Sequence, residues 1–273
     1  MNEFNKTIGF IGAGNMASSI ISGLINKGLK ETNIFSSCPN VDALDALNKK
    51  LGINVSTDNK EVVINSKIIV LSVKPNKIEQ VLNEIHEEVK KNNPLIISVA
   101  TGIKINSLEA LSPSDSRIIR AMPNTPSSVN RGITAICGNK NTTEEDKNAS
   151  ELIFKSIGIT LNLDEGKFDL FTSLLGSGPA YVFYFIESLI EASNELDISK
   201  KDQRSLILQL FDGSTHLART SDKDISALRK EVTSPGGVTE EAIAYMENHK
   251  LSKKIIDSIK KGEKKAKKLG ENK

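Results

Sequence analysis

The chain has 273 residues, 38% of them hydrophobic, which is enough for two domains of ordinary size with real cores. A formal net charge of +2 excludes a general affinity for nucleic acid or anionic membrane, and the lysines gathered from Lys260 to Lys268 read as a solvated helix end. No apolar run is long enough to span a bilayer, and Met1 to Lys6 is polar rather than signal-like, which points to the cytoplasm. Two isolated cysteines, Cys38 and Cys137, and three scattered histidines exclude a metal-ligand spacing or a His-based triad.

Thr7 to Ile11 is a short apolar run that leads into Gly12-Ala13-Gly14-Asn15-Met16-Ala17, the opening of an amphipathic helix to about Lys27. This is a dinucleotide fingerprint in its strand-to-helix setting. The first glycine makes the turn, the second lets the backbone approach a pyrophosphate, and the small third residue lets helix and strand pack closely. Asn33 to Ser36 reads as a second strand, Val41 to Leu51 as a helix, Lys67 to Val73 as a buried strand, Asn76 to Lys91 as a helix and Leu95 to Val99 as another buried strand. Their alternation predicts a doubly wound parallel sheet with right-handed crossovers. After the second strand, where an NAD site carries an acidic residue, this chain has Ser36-Ser37-Cys38. Two hydroxyls and no carboxylate favour NADPH, with NADH possible.

Ligands in such sheets lie beyond the carboxyl ends of the strands. Three strand ends carry unusual residues: Ser72-Val73-Lys74-Pro75, with Lys74 in reach of a cofactor; Val99-Ala100-Thr101-Gly102, small enough to admit a flat ring; and Met122-Pro123-Asn124-Thr125-Pro126 after a strand from Arg117 to Ala121. The two prolines fix the backbone around Asn124, a candidate contact to nicotinamide or substrate. Gly132 to Gly138 and Ile157 to Leu163 read as two more strands around a helix from Thr143 to Lys155, with Thr143 as N-cap and Asp146 nearby.

Beyond Asp164 the pattern becomes helical throughout, which predicts a dinucleotide-binding domain over 1–164 and an all-α domain over 165–273. Phe168 to Leu196 holds half of the aromatic residues, and charges at Asp169, Glu187 and Glu191 exclude a membrane span. A helix apolar nearly all round, in a domain this small, predicts burial against another subunit and hence a homo-oligomer. Gly176-Ser177-Gly178-Pro179 within it reads as close helix packing, with ligand contact as the alternative. Ser199 to Ala218 and Leu251 to Lys268 are two further amphipathic helices. Between them, Ser234-Pro235-Gly236-Gly237-Val238-Thr239 reads as a tight turn with Thr239 as N-cap of the next helix. By itself this is either an ordinary loop or, because backbone N–H groups converge at a glycine-preceded helix start, a cradle for a small anion.

Taken together, Gly9 to Met16, Val73-Lys74-Pro75, Ile118 to Pro126, Gly176 to Phe183 and Val232 to Glu247 resemble pyrroline-5-carboxylate reductases over essentially the whole chain. The first two motifs are shared with other dehydrogenases, and the last three are specific to this family. The resemblance implies hydride transfer from NADPH to the C=N of 1-pyrroline-5-carboxylate, giving L-proline in the last step of proline synthesis. It implies that Ser234 and the amides of Gly236, Gly237 and Val238 hold the substrate carboxylate, and that the Thr239 hydroxyl hydrogen-bonds the ring nitrogen. For the cofactor it implies Ile11, Gly12, Ala13, Gly14, Asn15 and Met16 at the pyrophosphate, Ser36 and Ser37 at the 2′-phosphate and Asn59 near the adenine. Ser72, Val73, Lys74, Pro75, Val99, Ala100 and Thr101 would line the ribose and nicotinamide. It further implies a dimer interlocked through the helical domains, with each site completed across the interface, and a ring of dimers as a larger form. Family members often carry Glu-His-Pro and then Leu-Lys-Asp ahead of the substrate loop. This chain has Asp222-Lys223-Asp224 and Leu228-Arg229-Lys230-Glu231, so that Asp222 keeps the carboxylate on a shorter arm. A reductase of another cyclic imine and a non-catalytic cofactor-binding paralogue are the competing readings.

Overall fold

The computed structural model describes residues 6–271 and divides the chain into two compact units, 1–177 with 262–273, and 178–261.

Unit 1 is built on an eight-stranded sheet: β1 (Ile8–Ile11), β2 (Ile34–Ser37), β3 (Asn54–Ser56), β4 (Ile68–Leu71), β5 (Leu95–Ser98), β6 (Arg117–Met122), β7 (Gly132–Gly138) and β8 (Gly158–Asn162). The spatial order is β3-β2-β1-β4-β5-β6-β7-β8, and β1 to β6 are parallel. Helices α1 (Asn15–Asn26), α2 (Val41–Leu51) and α7 (Glu144–Lys155) cover one face. On the other lie α3 (Asn59–Ile64), α4 (Ile78–Glu84), α5 (His86–Asn92) and α6 (Ile105–Ala110). Along β4, Ile68 and Val70 enter the first core while Ile69 and Leu71 enter the second. Burial on both faces is why the strand is apolar at every position.

Three features depart from the sequence expectation. β7 runs antiparallel to β6, and β8 follows β7, so the last two strands oppose the rest. The connection between β6 and β7 is a single 3-10 turn, Thr125–Val129, too short for the crossover of roughly a dozen residues that a parallel pair needs. The helix expected over Asn76 to Lys91 is broken at Ile85, whose fully buried side chain marks the junction between α4 and α5. The short elements β3, α3 and α6 have too few residues to show a period in the sequence. The expected cap of α7 is present as a reciprocal box: Thr143 Oγ1 accepts from the Asp146 amide at 3.1 Å and Asp146 Oδ2 accepts from the Thr143 amide at 2.9 Å.

After β8 the chain of unit 1 enters α8 (Phe168–Phe171), which widens into one π-helical turn, Thr172–Gly176. A Cβ on Gly176 would lie 3.1 Å from Met122 Cε, so this glycine makes room for a side chain of β6 rather than for a second helix.

Unit 2 contains α9 (Gly178–Ala192), α10 (Lys200–Thr220), α11 (Ile225–Glu231), α12 (Val238–Asn248) and the first half of α13 (Leu251–Glu271). Among its described residues no hydrophobic side chain is buried. Phe183 is 58% and Tyr184 73% exposed on α9, and Leu206, Leu210 and Leu217 are exposed on α10.

Candidate active site

The sheet places the carboxyl ends of β1, β2, β4, β5 and β6 on one edge, and α1 starts there. Gly12 has φ +108, and a Cβ on it would sit 2.7 Å from the Ser72 carbonyl oxygen. Its N–H donates to the Ser37 carbonyl at 2.7 Å, while Ser72 Oγ donates to the carbonyls of Gly12 at 2.8 Å and Ile11 at 3.1 Å. The turn is thus laced between the ends of β2 and β4. Gly14 is the N-cap of α1 and faces open space on its Cβ side; no side chain caps the helix, and Ser18 is the first residue whose amide reaches an intrahelical carbonyl, that of Gly14. Ala13 and Met16 pack partly against the core, Ala17 is buried, and Asn15 is exposed. An uncapped helix start with an open glycine before it fits a dinucleotide pyrophosphate.

Ser36 and Ser37 occupy the last two positions of β2 and both are closed off from solvent. Ser37 Oγ donates to Asn59 Oδ1 at 2.7 Å, and Asn59 Nδ2 donates to both Glu84 carboxylate oxygens at 3.1 Å. The Ser36 hydroxyl is buried without a hydrogen-bond partner among the described residues. The structure therefore joins Ser37 to Asn59 and adds Glu84, which sequence reading missed. On a polar helix face nothing distinguishes Glu84 from its neighbours until α3 and α4 are folded together.

At the end of β4, Val73 packs partly against the second core, Lys74 is exposed, and Pro75 opens a 3-10 turn. At the end of β5, Ala100 is buried, Val99 is half-buried and Thr101 is exposed, with Oγ1 3.8 Å from Met122 Sδ. Asn124 has a structural task. Its Nδ2 donates to the Leu175 carbonyl at 3.0 Å and its Oδ1 accepts from the Ile133 amide at 2.8 Å, so the side chain ties the π-helical turn to β7. Arg120, also missed, is buried over the Phe168 ring at 4.6 Å. It donates to Glu165 Oε1 at 2.9 Å, the same oxygen that accepts from the Ile105 amide at 2.7 Å. Burial, reinforced by Glu165, pushes the Cys137 thiol up to about 12 from the ordinary 9.0, against a lowering influence from Arg120, so this cysteine is no nucleophile.

In unit 2 the glycine-rich turn forms as its residues dictate. The Gly237 amide donates to the Ser234 carbonyl at 3.0 Å, with Pro235 second in the turn and Gly236 third at φ +68, the sequence pattern of a type II turn. A Cβ on Gly237 would meet the Ser234 carbonyl oxygen at 2.9 Å. The N-cap of α12 is Gly237 rather than Thr239, which stands in the first helical turn. The helix starts earlier because the turn itself delivers the chain in an extended cap conformation, φ −88 and ψ 168 at Gly237. That frees Thr239 from capping: its side chain is exposed and its hydroxyl bonds to no described residue. The Gly236 amide is occupied by Glu240 Oε2 at 2.7 Å, and Val238 is 90% exposed. Asp222 is exposed between α10 and α11. The neighbouring departures from the family pattern have partners of their own, since Lys223 pairs with Glu231 and Arg229 pairs with Glu247 at 2.9 Å, the latter linking α11 to α12.

Comparison with known proteins decides the family. Pyrroline-5-carboxylate reductase from Arabidopsis thaliana is 33% identical, over 97% of this chain and 96% of its own. The chain belongs to the pyrroline-5-carboxylate reductase family. The family model for pyrroline-5-carboxylate reductase dimerisation matches residues 165–269, and the one described as NADP oxidoreductase coenzyme F420-dependent matches residues 7–102. A solved pyrroline-5-carboxylate reductase from Coxiella burnetii superposes with a TM-score of 0.91 at 35% identity, covering 97% of this chain and 98% of that one. A Plasmodium falciparum pyrroline carboxylate reductase, solved with NADP bound, gives a TM-score of 0.88 at 33% identity with the same coverage. Like these relatives, the protein combines a Rossmann-type sheet with a helical region that carries the family's dimerisation segment. None of the described helices is long and apolar enough to cross a membrane.

Proposed function

We propose that this reductase transfers a hydride from NADPH to the C=N carbon of 1-pyrroline-5-carboxylate, giving L-proline. The observation that carries the proposal is the Ser234–Gly237 turn, followed by a Thr239 hydroxyl with no partner among the described residues, in a chain that matches this family over 97% of its length. NADPH supplies the hydride when bound; the protein must orient two partners and accommodate their charge.

In this reading residues 1–164 hold the cofactor. The amides at the start of α1, within Ile11 to Met16, face the pyrophosphate, and Ser72 to Pro75 with Val99 to Thr101 line the ribose and nicotinamide. Asn59 stands near the adenine. Ser37, closed off and bonded to Asn59, meets the 2′-phosphate when the end of β2 opens and its hydroxyl turns away from Asn59, with Ser36 beside it, and Asn124 supports this edge by fixing β7. Residues 165–273 bind substrate and dimerise. Ser234 and the amides of Gly236 and Val238 surround the carboxylate, with Gly237 closing the turn between them through its bond to the Ser234 carbonyl; Asp222 adds a carboxylate nearby, and Thr239 hydrogen-bonds the ring nitrogen. A hydroxyl suits both states of the nitrogen, because it accepts from an iminium N–H before transfer and donates to an amine lone pair after it. The iminium takes the hydride at carbon and becomes a secondary amine, so no strong acid is needed. The enzyme works in the cytoplasm as a dimer or a ring of dimers.

Steady-state reduction of 1-pyrroline-5-carboxylate by the purified chain, with NADPH and NADH compared at equal concentration, tests this. Turnover favouring NADPH is the expected result; tight NADPH binding without turnover would overturn it.

A further inference from the structure

We propose that Glu240 is a displaceable guard of the substrate loop, and that its carboxylate competes with the carboxylate of the substrate for the Gly236 amide. The inference rests on the reading that this loop receives the substrate carboxylate, and it adds a residue that sets the affinity of that step.

Glu240 lies three residues after the N-cap Gly237. A glutamate at this position ordinarily reaches back to the amide of the N-cap residue itself. Here that amide is already taken, because Gly237 N–H closes the turn onto the Ser234 carbonyl at 3.0 Å. Glu240 therefore reaches one residue further and accepts from Gly236 N–H at 2.7 Å, a charge-assisted bond of ordinary length. The positive φ of Gly236, +68, turns this N–H toward the helix start. The loop thus carries an internal carboxylate on one of the donors assigned to an external one. One N–H cannot serve two carboxylates at full strength, and two like charges at the same site repel. Substrate must therefore dislodge Glu240, and part of its binding energy is spent doing so. In return, free inorganic anions meet an occupied amide and a negative charge. The first turn of α12 also holds Glu241, whose side chain makes no hydrogen bond to the loop and so contributes charge without occupying an amide.

The experiment compares the wild-type chain with Glu240→Ala, Glu240→Gln and Glu241→Gln, each checked by thermal melting, with 1-pyrroline-5-carboxylate as substrate and sodium chloride as the competing anion. Glu240→Ala should lower KM for 1-pyrroline-5-carboxylate by ~3- to 10-fold, as loss of one charge-assisted competitor implies. It should also lower the chloride inhibition constant in parallel. Glu240→Gln keeps an acceptor without the charge and should fall between wild type and Glu240→Ala, while Glu241→Gln should shift KM by less than about twofold. An unchanged or raised KM in Glu240→Ala, or an equal drop in Glu241→Gln, overturns the guard. No turnover of 1-pyrroline-5-carboxylate by the wild-type chain would instead sink the underlying reductase reading, so the two failures are distinguishable.

Discussion

Gly12 and Gly14 stand two residues apart, yet a methyl group added to each meets opposite surroundings: the Ser72 carbonyl at 2.7 Å for the first, open space for the second. Gly12 also carries φ +108, a region that L side chains rarely adopt. Gly12→Ala should therefore cost ~1–3 kcal/mol in urea denaturation and weaken NADPH binding by fluorescence titration, because the strained turn holds the start of α1. Unchanged stability would mean that the β4 end gives way without cost. At the other site, Thr239→Ala should lower kcat about 10- to 100-fold while leaving the NADPH dissociation constant unaltered, since its hydroxyl bonds to no described residue and so has no structural contact there to lose. Matching losses in both quantities would count against its assigned role. The fingerprint glycines and Thr239 were legible as residues. Glu84, Arg120 and Glu240 were not, because each acts through a partner brought to it by folding.

At the scale of elements, α7 shows how far local chemistry reaches. Its capping box was readable from Thr143 and Asp146, but Asp146 also accepts from Arg117 at 2.6 Å while remaining buried. Thr143→Ala should cost ~1 kcal/mol, the usual worth of a cap. Asp146→Ala should cost more, ~2–3 kcal/mol, because it removes half of the box and the Arg117 ion pair, leaving the half-buried guanidinium only its bond to the Asn93 carbonyl. Paired urea denaturation curves check the order, and equal costs would show that the ion pair contributes nothing. In α12 the local signal misled: Thr239 has the chemistry of an N-cap, but the preceding turn had already set the cap at Gly237. A strong cap residue loses to a backbone turn that sets the preceding glycine in the extended cap conformation first.

At the scale of the molecule, the 178–261 unit has no buried hydrophobic side chain among its described residues, while α9 exposes Tyr181, Phe183, Tyr184 and Phe185 and α10 exposes Leu206, Leu210 and Leu217. Burial of such side chains is worth ~1.5–3 kcal/mol each, and a helical unit that forgoes it needs a second chain. Self-association follows from this and from the match of residues 165–269 to the family's dimerisation segment. Phe183→Glu combined with Tyr184→Glu should convert the sedimenting species to monomer and lower the melting temperature of the helical region. A variant that still sediments as the wild-type oligomer would place the interface elsewhere.

The amino-acid sequence by itself determined the doubly wound sheet, the helical second half, the glycine turns and the need for a partner subunit. Each of these rests on local periodicity, on a backbone conformation that favours glycine, or on a surplus of apolar residues that one chain cannot cover. Only the tertiary structure decided that β7 runs antiparallel, that Asn124 is a strut between the π-helical turn and β7, that Ser37 is tied through Asn59 to Glu84, and that Glu240 sits on the Gly236 amide. These depend on which polar group reaches which partner first, a competition settled by distances in the folded chain rather than by spacing along it.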